Sequence, residues 1–191
     1  MRSSFWKVFG AAVVVLGTSF QAQALTIDPA ITPVCGAPTC LAGTGAETSQ
    51  SDIDAAIASI LGTAVEVYKQ DVGGAESGSF ASSYTTTFSN TAQDPSDALI
   101  DYVGGAFITS CPNCYLLVKD GNNSPGWYLY RLAWNGTDDI VLDNFWPGNG
   151  SISHVALYAA PGTTTVPDGG SMSMLLGLGL MGLAGVRRYL A

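Results

Sequence analysis

The sequence predicts a mainly β domain, an antiparallel β-sandwich with one short α-helix near residues 52–61. Short β-rich runs are separated by clusters of Gly, Asn, Asp and Pro, which is the pattern of a sandwich. No repeat of fixed period is present in the sequence, which argues against solenoids and propellers. Two uncharged apolar runs near the ends of the 191-residue chain add an N-terminal signal helix and a C-terminal transmembrane helix to the prediction.

The helix is predicted from its ends and from its apolar face. Ser51 caps it, with Asp54 at the capping-box position, and Gly62 ends it. The residues that share one face are Ile53, Ile57, Ile60 and Leu61. Strands are predicted at 65–67, 79–89, 115–119, 127–131, 139–142 and 152–159, with Phe80, Tyr84 and Phe88 on one side of the second. Residues 163–166 are interpreted as a linker after the last strand.

Charge is distributed unevenly along the chain. Between residues 25 and 165 only Lys69, Lys119 and Arg131 are basic, against fourteen acidic residues. Such a surface favours solubility and repels phosphate-bearing partners, so nucleic acid is not expected as a partner. Binding of divalent cations or of a cationic partner is the alternative to a purely solubilising role for these carboxylates.

The N-terminus has the three parts of a secretory signal peptide. Arg2 and Lys7 precede the apolar run 8–16, and an Ala-x-Ala site follows at residues 22–24. The run is short for a helix that spans a bilayer. We therefore expect export through the Sec translocon and cleavage between Ala24 and Leu25.

The C-terminus also has three parts, which are the motif Val166-Pro167-Asp168-Gly169-Gly170, an uncharged run at 172–186 and the pair Arg187-Arg188. As a helix the run covers about 22 Å, less than the roughly 30 Å of a hydrocarbon core, which indicates a temporary membrane anchor. The two arginines keep the end of the chain cytoplasmic and place residues 25–170 outside.

This order of motif, apolar helix and basic end resembles the C-terminal sorting signal of PEP-CTERM proteins of Gram-negative bacteria. The usual motif of that family is Val-Pro-Glu-Pro. Here Val166 and Pro167 match, Asp168 replaces Glu and Gly169 replaces the second Pro, as in Val-Pro-Asp variants of the signal. The resemblance implies processing by exosortase, a membrane protease or transpeptidase, and leaves the exosortase subtype open. An ordinary C-terminal anchor is the alternative.

Residues 115–158 also resemble the globular regions of many PEP-CTERM proteins. The similar phrases begin at Tyr115, Trp127, Trp134, Phe145 and Ile152. The resemblance implies a secreted β-sandwich whose activity is generally unassigned, with no catalytic residues to carry over. PEP-CTERM proteins as a group are associated with exopolysaccharide production and biofilm formation, which is the setting that the resemblance implies.

The four cysteines form two local pairs, Cys35 with Cys40 and Cys111 with Cys114. Export to an oxidising compartment favours structural disulfides, and local pairing is preferred over cross-pairing. A redox pair or a zinc site are the alternatives. The C-x-x-C at 111–114 runs into a predicted strand rather than a helix N-terminus, and a second C-x-x-C is absent.

No catalytic residue, metal ligand or cofactor is predicted. His154 is the single histidine, the sequence has no G-x-S-x-G nucleophile elbow, and a strand position favours a hydrogen-bonded structural role. The acidic turns at 120–123 and 138–139 offer oxygen ligands for calcium, but neither follows the EF-hand loop, so turn chemistry is preferred. For a glycosidase the sequence selects no pair of facing carboxylates.

Aromatic residues are the best candidates for a binding surface. Trp127 and Tyr130 fall within a predicted strand and suit the core. Trp134 and Trp146 lie beside turn residues, so we expect them to be partly exposed and name them as candidate glycan contacts.

These observations predict a signal peptide at 1–24, a secreted β-sandwich domain at 25–165 and a sorting signal at 166–191. We expect a non-enzymatic protein, made as an inner-membrane-anchored precursor, processed by exosortase and delivered to the cell surface or extracellular matrix, with exopolysaccharide as a candidate partner. A carbohydrate-binding module is the first alternative function, and a periplasmic hydrolase is the second.

Overall fold

The computed structural model describes residues 24–161, except 92, 110, 112 and 149, together with residues 164 and 165. Within this part of the chain the secondary structure is mainly β with one helix. The elements are β1 (Leu25–Ile27), β2 (Cys40–Gly45), α1 (Gln50–Leu61), β3 (Val65–Asp71), β4 (Glu76–Ser77), β5 (Tyr84–Ser89), β6 (Asp97–Tyr102), β7 (Phe107–Ile108), β8 (Cys114–Asp120), β9 (Trp127–Leu132), β10 (Ile140–Leu142), β11 (Ile152–Ala159) and β12 (Thr164–Thr165).

The strands form two main sheets and one small one. The larger sheet has six strands in the order β2-β9-β8-β11-β3-β4, and the smaller has four in the order β1-β10-β6-β5. The antiparallel expectation is wrong for one pair, because β1 runs parallel to β10. A parallel pair needs a long crossover connection, and here most of the domain lies between the two strands. The pair β12-β7 forms the small sheet, so Thr164 and Thr165 are strand residues, not the predicted linker.

Both main sheets contribute to one hydrophobic core. Leu116, Val118 and Leu157 come from the larger sheet, and Ile100 and Ile140 come from the smaller, and all five are buried. Because side chains alternate along a strand, alternate residues of β8 and β9 reach this core. In β3 the neighbours Val67 and Tyr68 both belong to it, beside a shift of register in the β11–β3 pair. The predicted mainly β fold with two packed sheets is therefore confirmed.

The helix covers the outer face of the larger sheet. Ile53 and Ile57 of α1 are fully buried and pack with Tyr115, Leu117 and Trp127. Strand β8 is consequently covered on both faces, and all seven of its residues are buried. The domain thus has three layers, which are the smaller sheet, the larger sheet and the helix.

The predicted cap of the helix is wrong by two residues. Ser49, in an extended conformation, is the N-cap, and its Oγ accepts a hydrogen bond from the amide of Asp52 at 3.3 Å. Ser51 with Asp54 has the same spacing as Ser49 with Asp52, so the pattern fits both registers. The predicted end is confirmed, because Gly62 has φ +61° and its amide bonds the Ala58 carbonyl at 3.1 Å.

Two strands of the structure also differ from the prediction. The strand expected at 79–89 begins only at Tyr84, and Phe80, although buried, lies in the preceding turn, where its amide bonds the Val67 carbonyl at 2.9 Å. Strand β2 escaped prediction because it contains glycines, which are depleted in strands. A Cβ on Gly45 would lie 2.7 Å from a ring carbon of Trp127, so the cross-strand indole requires this glycine.

The predicted signal helix (except Ala24), the sorting motif and the predicted transmembrane helix at 172–186 lie outside the described residues. Over the part of the chain that the structure describes, no helix has both the length and the apolar character needed to cross a membrane. The domain boundaries at residues 24 and 165 stay predictions.

Candidate functional site

The two disulfides lie at one end of the larger sheet. Cys35 is bonded to Cys40 and Cys111 to Cys114, with Cα atoms 4.7 and 4.8 Å apart. Cys40 pairs across the sheet with Arg131, and Cys114 with Leu132, so the bridges flank the C-terminal end of β9. Local pairing is confirmed and cross-pairing is wrong. With no free thiol among the described cysteines, the thiolates that a zinc site would need are engaged.

Trp134 and Trp146 are buried, so the expected partial exposure is wrong. Their exposed fractions are 7 % and 6 %. The indole of Trp134 donates to the Asp138 carbonyl at 2.6 Å and its ring lies 5.6 Å from that of Tyr84. The indole of Trp146 donates to the Pro125 carbonyl at 2.7 Å. Each turn folds its tryptophan inward, where the ring joins the core and the N–H is satisfied by a carbonyl.

A polar cleft of about 750 Å³ lies at the end of the domain opposite the disulfides. Three connections line it: β5 to β6, β8 to β9, and β10 to β11. They meet because β8 ends where β9 begins in an antiparallel pair, and β11 starts beside the end of β8. We call this feature the loop-end cleft. The sequence identified residues 120–123 and 147–150 only as turns that separate strands, and it gave no interpretation of residues 90–96.

Asp120, at the end of β8, holds two walls of the loop-end cleft together. Its side chain is buried, and Oδ1 accepts from the amide of Asn122 at 2.9 Å, as in an Asx-turn. Its Oδ2 accepts from the Asn123 amide group at 3.1 Å and from the main-chain amide of Ser151 at 3.2 Å. Turn chemistry, the preferred interpretation of residues 120–123, is therefore confirmed for Asp120.

Main-chain amides of the β10–β11 connection donate hydrogen bonds to Asp97 and Ser96 and so tie this wall of the cleft to the β5–β6 side. The amide of Asn144 donates to Oδ1 of Asp97 at 2.8 Å, and the amide of Phe145 donates to the Ser96 carbonyl at 2.9 Å. Asn144 and Trp146 have φ values of +57° and +47°, and such a backbone is strained for a residue as large as tryptophan. These bonds and the buried indole hold the wall in this conformation.

The lining of the loop-end cleft combines amides, hydroxyls and carboxylates. The side chains of Asn122 and Asn144 are exposed and make no hydrogen bond within the described residues. Asp94 and Asp120 are acidic, and none of the lining residues is basic. Nearby, the buried Lys119 directs its Nζ to the Asp120 carbonyl at 2.9 Å. In the described part of the chain no group of three or more His, Cys, Asp or Glu is placed to hold a metal ion.

His154 lies on the outer face of the larger sheet, between β3 and β8. It is opposite Asp71 and Lys119, and its Nδ1 is 3.4 Å from Oδ1 of Asp71. Burial, and then Lys69, lowers the pKa of His154 to about 4, so the ring is neutral at pH 7. Its Nε2 is buried and has no hydrogen-bond partner among the described residues. A serine-histidine catalytic pair needs a serine hydroxyl hydrogen-bonded to the imidazole, and none of the described residues provides one at Nε2 of His154.

The carboxyl groups with raised pKa values are not brought together. Burial raises the pKa of Glu66 and that of Asp101, the latter helped by the nearby Asp139. Glu66 lies on β3 of the larger sheet and Asp101 on β6 of the smaller. Neither lines the loop-end cleft. The facing pair of acids that a glycosidase needs is not formed by these two groups.

Comparison with known proteins gives one match. No curated protein and no solved structure is detectably similar to the chain. Residues 165–190 match a protein-family model described as the VPDSG-CTERM motif. Val166, Pro167, Asp168 and Gly170 agree with the letters of that name, while Gly169 stands where it has serine. Residues 165–190 thus carry a VPDSG-CTERM motif, a PEP-CTERM-like variant of the C-terminal sorting signal, which indicates an exported protein that an exosortase-like enzyme processes.

Proposed function

We propose that this chain is a non-enzymatic protein of the bacterial cell surface or extracellular matrix, released from its membrane anchor by an exosortase and active alongside exopolysaccharide. The observation that carries the proposal is the match of residues 165–190 to a C-terminal sorting motif. Two disulfides in the folded domain are consistent with an oxidising destination. The acidic surface between the two ends favours solubility after release.

The anchor is the part of the proposal that an experiment addresses most directly. Pro167 fixes its own φ and disfavours helix at Val166, and we expect from this that the motif is extended and accessible to a protease at the membrane face. The double change Pro167→Ala and Asp168→Ala should leave the protein uncleaved and retained in the membrane. Thr163→Ala, just before the matched segment, is the control and should be processed normally. Deletion of residues 166–191 should release soluble protein.

The measurement is mass spectrometry of the C-terminal peptide of surface-recovered protein, in strains with and without exosortase. Loss of the tail only in the strain with exosortase supports the proposal. If the tail through Ala191 persists equally in both strains, the chain is an ordinary anchored protein and the proposal fails.

A carbohydrate-binding module is the second candidate function. The observation that favours it is the loop-end cleft, with its exposed amides of Asn122 and Asn144. Side-chain amides offer a donor and an acceptor to neighbouring hydroxyls, which is how proteins recognise polyhydroxylated ligands. The hypothesis no longer relies on Trp134 and Trp146 as exposed glycan contacts, because both rings are buried. Of the two, only Trp146 lines the cleft.

A further inference from the structure

We infer that the loop-end cleft binds a neutral oligosaccharide and discriminates against acidic polysaccharides such as those rich in uronate. This inference rests on the second candidate function above and adds the class of ligand. It is argued from three properties of the cleft, namely the rigidity of its walls, the unoccupied hydrogen-bonding groups in its lining, and the sign of its charge.

The walls are fixed before any ligand arrives. Asp120 joins the β8–β9 connection to the amide of Ser151 in the β10–β11 connection. Asp97 in turn accepts from the amide of Asn144, which joins the β10–β11 connection to β6 at the end of the β5–β6 connection. The side-chain amide of Asn90 donates to Ser96 Oγ at 2.6 Å and closes the β5–β6 connection on itself. Fixed walls lower the entropy that binding must overcome.

The groups that face solvent suit vicinal hydroxyls. Each of the exposed amides of Asn122 and Asn144 provides two donors and one acceptor oxygen, none of them used within the described residues. Gly121 and Gly148 line the cleft without side chains, which leaves room for a sugar ring. Trp146 also lines the cleft, but its ring is buried and its N–H already donates to the Pro125 carbonyl, so the indole offers no free donor to a ligand.

The charge of the cleft decides between classes of glycan. Asp94 is exposed and Asp120 is buried, and no Lys, Arg or His is among the lining residues. Lys119, which is close in sequence, keeps its Nζ on a main-chain carbonyl. A uronate or sulfate group therefore meets like charge with no cation to compensate it, and the acidic surface of the domain extends the repulsion. A neutral chain of hydroxyls meets no such barrier.

The test uses the mature exported protein with its disulfides intact, titrated by calorimetry with neutral hexasaccharides (cellohexaose, maltohexaose and mannohexaose) and with hexagalacturonate. We expect a neutral hexasaccharide to bind and hexagalacturonate not to bind. The variants Asn122→Ala and Asn144→Gly each remove one amide and should weaken binding about tenfold, as expected for a lost hydrogen bond of about 1.4 kcal/mol. Glycine at position 144 preserves the left-handed backbone there.

Two further variants complete the experiment. Asn113→Ala removes an exposed amide in the 111–114 disulfide loop and should bind like the unchanged protein. Asp94→Asn removes the exposed charge of the cleft, so it should increase the affinity for hexagalacturonate relative to that for the neutral sugars. Circular dichroism of every variant checks that the fold is retained.

Each other outcome overturns the inference. Stronger binding of hexagalacturonate than of the neutral sugars contradicts the ligand class. Neutral binding that is insensitive to the changes at Asn122 and Asn144 contradicts the site. Absence of binding to all four sugars contradicts the inference as a whole, while the C-terminal processing experiment decides separately whether the chain is a sorted surface protein.

Discussion

The main-chain amide of Leu25 donates a hydrogen bond of 2.7 Å to the carbonyl of Asp139. Leu25 is the first residue of β1 and also the residue that follows the predicted signal-peptide cleavage site. Two residues later Ile27 is fully buried in the core between the sheets. The first strand that the structure describes therefore begins at the residue that follows the predicted cleavage site.

We expect the mature protein to begin at Leu25. Cleavage after Ile27 instead would remove the β1–β10 pairing and the buried side chain of Ile27. Mass spectrometry of the N-terminal peptide of exported protein measures this directly. Exported protein that retains residues 1–24 would contradict the prediction.

The contribution of β1 to stability is measurable by substitution. Ile27→Ala should lower the free energy of unfolding by roughly 2–5 kcal/mol, because it removes a fully buried side chain and leaves a cavity. Thr26→Ala, at the exposed middle position of the same strand, is the control and should change it by less than about 0.5 kcal/mol. Urea unfolding followed by circular dichroism gives both values, and equal losses would show that β1 does not anchor the N-terminus through its core residue.

The free energy of unfolding should decrease as the pH is lowered, because His154 becomes protonated more readily in the unfolded chain than in the fold. The pKa of His154 is lowered from about 6.5 to about 4 in the folded state, chiefly by burial. Between these values the unfolded chain binds the proton and the folded chain does not, so acidification favours unfolding. Asp71 opposes the shift, whereas Lys69 and Lys119 reinforce it. The loss from pH 7 to pH 4 should be about 3 kcal/mol.

The control for this prediction is His154→Gln, which retains every carboxylate and removes only the imidazole. From pH 7 to pH 4 the free energy of unfolding of the variant should fall by about 3 kcal/mol less than that of the unchanged protein. Urea unfolding at pH 7, 5.5 and 4 gives the comparison. Parallel curves for the two proteins would mean that His154 titrates normally in the fold.

The cap of α1 distinguishes two neighbouring serines. Ser49→Ala should destabilise the protein by about 1 kcal/mol, because the amide of Asp52 loses its acceptor. Ser51→Ala, inside the helix and exposed, should leave stability within about 0.5 kcal/mol or raise it, since alanine is the better helix former. Thermal unfolding of the two variants gives the difference, and a larger loss for Ser51→Ala would restore the cap that the sequence alone favours.

Both disulfides should be formed in the exported protein. Titration with a thiol reagent should find no free sulfhydryl in the native protein and four after reduction and unfolding. Replacing either pair by serine should lower the free energy of unfolding by about 2 kcal/mol, the lower end of the usual range, because the closed loops are short. Four reactive sulfhydryls in native protein would contradict the prediction.

Local patterns in the sequence account for much of the fold. Short β-rich runs between turn clusters predicted the strands that became β8, β9 and β11, and the spacing of Ile53 and Ile57 predicted the buried face of the helix. Spacing also predicted the local disulfide pairs. These features depend on residues close together in the chain, where backbone preference and side-chain periodicity act directly.

The C-terminal motif was readable for the same reason. A sorting signal is recognised as a short linear segment, so residues 165–190 carry it whatever the domain before them does. The C-terminal segment therefore indicates where the protein is sent, whereas the sequence of the folded domain did not indicate which ligand it binds.

Other features were decided only by the tertiary structure. The sequence placed Trp134 and Trp146 beside turns, but whether a turn folds its indole inward depends on carbonyls supplied by Asp138 and Pro125 and on the core beneath. The parallel pairing of β1 with β10 joins strands separated by most of the domain. The loop-end cleft likewise exists only because antiparallel strands bring three distant turns to one end of the domain. Contacts of this range depend on how strands are ordered in the sheets, and strand order follows from packing of the whole core rather than from any local pattern.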